Sequence, residues 1–319
     1  MLNKNIDLFK QFLNFYWLRP ESALMLTLRS IAYRNGLKYF HKNSIDVACG
    51  DGVFSFLTFG GKLKDDTDMY QSLNLQNNIL RKKDTYDNFK NNYKISIQST
   101  PQKKFKYDSG CDYKENLLNK AHKLNFYKNT FLHNINHNFK IKKKFNFVYS
   151  NSTYWSKNFE KHLIDLTKIT ENKGYLVLQI KNSSIFENYV QEKKYTKIFG
   201  RKFTQIIDAG RKKTWSGLKD YNQIYKVIKN IKNIEVIDIQ PVYGNIMPHI
   251  WNFGLRPVFD PLYLMTTKID LKERIIIKKQ FNNIIFEMFK SYIGNFKLKN
   301  NSFKTDIEYT YILKKSNNS

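Results

Sequence analysis

The spacing of apolar residues along this chain predicts strands and helices in alternation. Residues 20–40 carry Ala23, Leu24, Leu26, Leu28, Ile31, Ala32 and Leu37 close to a helical stripe, with Pro20 and Glu21 at its start and Asn35–Gly36 as its stop. Ser44–Ala48 is a short apolar run ending in a glycine-containing turn, the pattern of a buried strand, and Val53–Phe59 then begins a helix. Further strands are expected at Lys104–Cys111, Thr130–Ile135, Phe145–Ser150, Tyr175–Ile180, Ile234–Gln240 and Ile307–Leu313. Helices are expected at Tyr113–Leu124, Phe159–Ile169 and Leu218–Ile228, and residues 171–174 read as a turn. This alternation predicts a doubly wound α/β fold with a mostly parallel sheet.

Two stretches break the rhythm. From Gly60 to Gln102 it fades into polar runs such as KLKDD and NLQNN, which read as an insertion with some local helix. Residues 244–303 read as a second addition, on the substrate side and rich in aromatics. The expected organisation is an N-terminal helical region over 1–43, a core domain over 44–243 and 304–316 interrupted at 60–102, and the addition at 244–303.

Composition narrows the class. Hydrophobic residues at 41% of 319 are enough for a sizeable core, so global disorder is excluded. The two cysteines, Cys49 and Cys111, are too few for a disulfide framework or a zinc cluster, so no metal is expected and a reducing cytosol suits the chain. No stretch has the roughly 18–20 uninterrupted apolar residues that span a bilayer. The net charge of +27 has two readings: a polyanionic partner (nucleic acid or an anionic membrane surface), or compositional drift in a chain rich in Lys, Asn and Ile. The lysines are scattered, which favours drift.

The densest chemistry lies in Asp46-Val47-Ala48-Cys49-Gly50-Asp51-Gly52, an acid at a strand end followed by two glycines two apart. Glycines there let a backbone approach a ligand closely and take positive φ. A dinucleotide fingerprint needs a third glycine three residues on, where this chain has Ser55, and a pyrophosphate seat, which Asp51 would repel. A ligand carrying a sulfonium and an amine, and no phosphate, suits an acid-rich turn better, which favours S-adenosylmethionine over a dinucleotide.

This run resembles the first motif of class I S-adenosylmethionine-dependent methyltransferases, with Ala48 standing for the first glycine of the motif. The resemblance covers about residues 20–58 and 105–243. It implies a Rossmann-like seven-stranded sheet, mostly parallel with the last strand antiparallel. It further implies that Asp46, Ala48, Cys49, Gly50, Asp51 and Gly52 line the cofactor. An acid at the end of the second strand should hold the ribose hydroxyls. Asp66 and Asp68 have the usual spacing but follow no strand; Asp112 follows FKYDSGC and opens a strong helix, and is preferred. Asn134 occupies the position that reaches the adenine amine. Ser150 and Asn151, in FNFVYSNSTYW, occupy the fourth motif, where amino-group methyltransferases usually carry a proline-containing clamp that this chain lacks. The run is closer to the version found in small-molecule and sugar-pathway enzymes.

On the acceptor side, Tyr154 and His249 are the candidate catalytic residues, with His133, His137 and His162 candidates by type only. Trp155, Trp251 and Arg256 are expected to contact the acceptor. The stretch Trp251-Asn252-Phe253-Gly254-Leu255-Arg256-Pro257 resembles one in methyltransferases of bacterial surface-polysaccharide pathways, and an arginine there suits a phosphate or carboxylate. Residues 271–292 mix apolar residues with Lys272, Arg274, Lys278, Lys279 and Lys290, a pattern that suits contact with an anionic membrane. The leading expectation is a cytoplasmic, at most membrane-peripheral, methyltransferase acting at oxygen on a small-molecule or glycan-precursor acceptor. The alternatives are an RNA methyltransferase using the basic surface and a non-catalytic domain that binds S-adenosylmethionine. The sequence leaves the oligomeric state open.

Overall fold

The computed structural model describes residues 2–71, 73, 94–185, 192–208, 218–244, 258–298 and 306–317. Its centre is a seven-stranded sheet built from β1 (Ser44–Val47), β4 (Tyr107–Asp112), β5 (Tyr127–Leu132), β6 (Phe145–Ser150), β7 (Thr170–Lys181), β8 (Ile234–Pro241) and β9 (Glu308–Lys315). The order across the sheet is β5-β4-β1-β6-β7-β9-β8. β1, β4, β5, β6 and β7 pair in parallel, while β9 runs antiparallel to both β7 and β8. That is the sheet of class I methyltransferases, mostly parallel with the last strand reversed, as the sequence leads one to expect. The order reverses at β1, which places the crevice for a ligand beyond the carboxyl ends of β1, β4 and β6.

The two sheet faces are read from the alternation of side chains along a strand. On β7, Leu176, Leu178 and Ile180 pack with Leu163 and Leu166 of α5 (Phe159–Ile169) and with Ile224 and Ile228 of the helix over Tyr221–Asn230. Val177 faces the opposite layer, with Leu24 and Leu28 of α2 (Pro20–Gly36) and Phe56 of α3 (Val53–Thr58).

Several bounds differ from the sequence expectation. The third strand starts at Tyr127, three residues before the expected Thr130, because α4 (Glu115–Lys123) ends at Lys123 and Asn125 turns the chain in a left-handed conformation (φ 48). The turn expected at 171–174 lies inside β7 as a bulge. Phe145 pairs with Thr170 and Phe147 with Tyr175, and Lys173, at φ 63, absorbs the extra residues. The strand expected from Lys104 begins at Tyr107, after a short 3-10 turn at Lys103–Phe105.

The two additions meet. α1 (Leu2–Phe15) packs along the 25-residue helix Leu271–Asn295, with Phe9 against Phe286 and Phe289, and Trp17 against Phe281. The described part of the insertion forms a two-stranded ribbon, β2 (Lys62–Leu63) with β3 (Ile97–Ser99), while residues 74–93 of the insertion lie outside the described residues. Gln11 accepts from the Leu63 N–H, and Asn14 donates to the Lys64 carbonyl, so α1 holds this ribbon. Its acids serve the long helix: Asp68 takes two hydrogen bonds from Arg274, and the Lys278 amine donates to the carbonyls of Asp65 and Thr67. Two of the five basic residues expected to face a membrane therefore point inward. No helix among the described residues is long and apolar enough to cross a membrane.

Candidate active site

β1 ends at Val47, and the chain then turns through three consecutive alternate residues in the left-handed region: Ala48 at φ 58, Gly50 at φ 59 and Gly52 at φ 73. Only glycine adopts this region without cost, so Ala48 is strained where the motif calls for glycine. A Cβ on Gly50 would meet nothing within 4 Å, so the backbone there faces open space. A Cβ on Gly52 would lie 2.7 Å from the Tyr127 ring, so that glycine is fixed by packing.

Two strands hold the turn. The Cys49 N–H donates to the Cys111 carbonyl at 2.9 Å, and the Gly50 N–H donates to Asp112 Oδ2 at 3.0 Å. Asp112 Oδ1 accepts from the Lys114 N–H at 2.9 Å, which fixes the carboxylate at the start of the segment leading into α4. Asp66 and Asp68 lie in the ribbon segment instead, with Asp66 bonded to Ser96 and Asp68 to Arg274. Of the three competing acids, Asp112 is the one in contact with the glycine turn.

Asp46 lies beneath the turn, only 2% exposed. Its Oδ2 accepts from the Ser55 hydroxyl at 2.5 Å and the Tyr127 hydroxyl at 2.8 Å. Ser55, the residue standing where a dinucleotide fingerprint has its third glycine, thus has a task that glycine could not perform. Asp51 Oδ1 accepts from the N–H of Val53, the first residue of α3, at 3.1 Å.

Three carboxylates share this corner, and their electrostatics bear on what fits there. Burial raises the Asp46 carboxyl to about 6, with the two hydroxyl donors opposing and the charge of Asp112 adding. Asp51 and Asp112 are also raised, chiefly by burial, and Asp51 is partly offset by Lys120. Burial in turn lowers Lys120 to about 8. A crowded set of acids with raised proton affinity disfavours a phosphate and favours a cation.

The fourth-motif residues follow β6. Ser150 is fully buried, Asn151 accepts from the Ser152 hydroxyl at 3.0 Å, and Trp155 is exposed beside them. Tyr154 is buried, and its hydroxyl accepts from the Lys181 amine at 2.9 Å. Lys181, at the end of β7, stands 3.4 Å from Glu308, which holds Arg29 through two bonds of 2.6 Å and accepts from Tyr243 at 3.0 Å. Burial raises Glu308, but Arg29 and Lys181 outweigh it and hold the carboxyl below its ordinary range. None of these partners of Tyr154 is singled out by the sequence; the only trace is a charge at one end of each of two apolar strands, Lys181 closing YLVLQIK and Glu308 opening IEYTYIL.

Asn134 sits in the loop after β5, where its Oδ1 accepts from the Asn136 backbone and side chain. Burial lowers His133 and His162 each to about 4, so both are neutral at pH 7, and the His137 N–H is tied to the Asn134 carbonyl. His249, Trp251 and Arg256 lie outside the described residues. No group of three or more His, Cys, Asp or Glu suited to a metal occurs among the described residues.

No protein-family model matches the chain, and no curated protein matches it in sequence. Among solved structures, it is similar to a SAM-dependent methyltransferase from Thermotoga maritima, at 10% identity and a TM-score of 0.45, over 98% of this chain and 100% of that one. It is also similar to coclaurine N-methyltransferase, at 10% identity and 0.44, over 93% and 71%. The MccD protein aligns at 10% identity and 0.42, over 90% and 96%. The strand order and the reversed last strand of the chain itself carry the fold assignment: it has the class I methyltransferase sheet.

Proposed function

We propose that this protein transfers a methyl group from S-adenosylmethionine to an oxygen of a small-molecule or glycan-precursor acceptor. The observation that carries this reading is the hydrogen bond from Gly50 to Asp112, which joins the glycine turn to an acid at the neighbouring strand end. The donor set fits the cofactor: open backbone at Gly50, a carboxylate for ribose hydroxyls, and acids around a space suited to a cation. When bound, S-adenosylmethionine supplies an activated methyl on a sulfonium. Asp112 orients the ribose, and Asp46, Ala48, Cys49, Gly50, Asp51 and Gly52 shape the seat of the methionine end. Asn134 serves the adenine, and Ser150 and Asn151 close the site from β6.

Methyl transfer is an in-line displacement, so the protein's main contribution is alignment and exclusion of water. The Tyr154 hydroxyl, held by Lys181, is the group aligned to share the proton of an acceptor hydroxyl; His249 is the second candidate, and Trp155, Trp251 and Arg256 bind the acceptor. The missing proline clamp argues against a planar nitrogen acceptor. The test is release of S-adenosylhomocysteine with hydroxyl-bearing acceptors, starting from nucleotide sugars and lipid-linked saccharides. Turnover that survives Tyr154→Phe undiminished, or that occurs only on nitrogen acceptors, contradicts this reading.

A further inference from the structure

The strands of the parallel sheet begin on the edge opposite the glycine turn, and that edge is where the lysines gather. Lys42 precedes β1, Lys104 precedes β4, Lys142, Lys143 and Lys144 precede β6, and Lys168 precedes β7; all six are exposed. In sequence these residues are scattered over more than a hundred positions, which is why they read as drift. The topology brings them together: Asn43, beside Lys42, donates to the Lys144 carbonyl at 3.1 Å, and Asp108, at the start of β4, pairs with Lys143 at 2.7 Å.

Two clefts flank the lysine run. One, of about 580 Å³, is lined by Lys42, Lys142, Lys143 and Lys144 against Asp108 and Glu171. The other, of about 260 Å³, shares the same three consecutive lysines and adds Lys168 against Asp165. Asp108 is engaged by Lys143, and Asp165 by Lys161 and Lys168, so the cation excess facing solvent is carried by Lys42, Lys104, Lys142 and Lys144 against Glu171. A broad, open basic surface and a narrower cleft with a common ridge suit a chain of phosphates. A bilayer site would also need apolar side chains to insert. Phe139 and Ile141 in the second cleft are half-buried and Ile169 is buried, and the exposed large apolar residues of the described chain lie elsewhere, such as Trp155 after β6 and Ile276, Ile284 and Met288 on the long helix.

We propose that this edge binds the phosphodiester backbone of nucleic acid, as a docking surface remote from the methyl-transfer site. β6 separates the two by five residue steps of ~3.3 Å, roughly 17 Å, so the phosphates held at this edge are not themselves at the methyl-transfer site. The inference goes beyond the methyltransferase reading and stands or falls apart from it.

The test is fluorescence anisotropy of the full chain with labelled 12-nucleotide single strands of RNA and of DNA, between 50 and 200 mM salt. Both should bind with similar affinity, weakening steeply as salt rises. Replacing Lys142, Lys143 and Lys144 by Gln together should flatten the slope of log affinity against log salt by about 1.4, at ~0.7 for each of Lys142 and Lys144, since Lys143 is paired with Asp108. A charge-matched control, Lys272→Gln with Lys279→Gln and Lys290→Gln on the long helix, should bind as the wild type does, with both variants keeping the wild-type melting temperature. The proposal is overturned if both triple variants weaken binding equally, if only one of RNA and DNA binds, if binding ignores salt, or if the lysine run serves phosphatidylglycerol vesicles and not oligonucleotides.

Discussion

The Asp112 carboxylate, at the end of β4, accepts a hydrogen bond from the Gly50 N–H at 3.0 Å, so an acid on one strand fixes the turn that follows its neighbour. A hydrogen bond to a charged group contributes about 1.5–3 kcal/mol. Asp112→Ala should therefore accelerate exchange of the Gly50 amide roughly ten- to hundredfold, with β6 amides unaffected. Hydrogen exchange resolved by residue checks this directly, and equal protection in the variant would mean that the turn holds itself.

Ala48 occupies the left-handed region at φ 58. That conformation costs a non-glycine residue about 1–2 kcal/mol, against the roughly 0.5–1 kcal/mol that glycine loses in chain entropy. Ala48→Gly is expected to stabilise the protein by up to about 1 kcal/mol, a rise of ~2 °C in melting temperature for a chain of this size. A fall in melting temperature would show that the Ala48 methyl makes contacts worth more than the strain.

The raised Asp46 carboxyl predicts a pH dependence of defined sign. Its folded value, about 6, lies above the ordinary 3.8, so the stability it confers is fully present below pH 3.8 and is lost as pH rises through 6. The loss is on the order of 3 kcal/mol for a shift of this size. Asp306, raised to about 6 by burial, acts in the same direction. Asp46→Asn should raise the melting temperature of the unliganded protein at pH 7.5 and shrink its fall between pH 4 and 6 without abolishing it. The same variant should bind S-adenosylmethionine more weakly, because the ionised acid is the form that attracts a cation. A variant neither more stable nor weaker in binding would remove Asp46 from the site.

Arg29 and Glu308 form a buried bidentate pair that joins α2 to β9 and supports Lys181 beneath Tyr154. Removing one partner of such a pair costs about 3–5 kcal/mol, since a buried charge is left uncompensated. Arg29→Met should lose stability of that order in urea unfolding, and Arg29→Met with Glu308→Leu should recover part of it. Recovery stays partial because Lys181 then lacks its carboxylate. The depressed Glu308 carboxyl gives the opposite pH sign to Asp46: its contribution is present above pH 4.5 and lost in more acid solution.

What sequence revealed and what it hid follow from the range of the forces involved. β6 and α5 were legible to the residue, because a short apolar run and an amphipathic stripe are local patterns capped by local signals, such as Asn158 accepting from the Lys161 N–H. Asp112 could be preferred over Asp66 and Asp68 because it closes a strand and opens a helix. The bulge at 171–174 was hidden, since the same residues suit a turn and only pairing with β6 decides between the two. Hidden too were the ribbon in the insertion, whose polar residues find partners on α1 and the long helix, and the Arg29–Glu308–Lys181 cluster, which unites positions up to 279 apart. The lysine edge is the clearest such case: strand order alone brings Lys42, Lys104 and Lys168 to the run at Lys142–Lys144.

The central claim is that the turn at 46–52, with Asp112, seats S-adenosylmethionine. Calorimetric titration of the wild type, Gly50→Arg and Asp112→Ala with S-adenosylmethionine and S-adenosylhomocysteine tests it most directly. Saturable one-to-one binding by the wild type, abolished by an arginine filling the open space at Gly50 and weakened at least tenfold by loss of Asp112, is the predicted result. No binding by the wild type, or the same affinity in all three proteins, would contradict it.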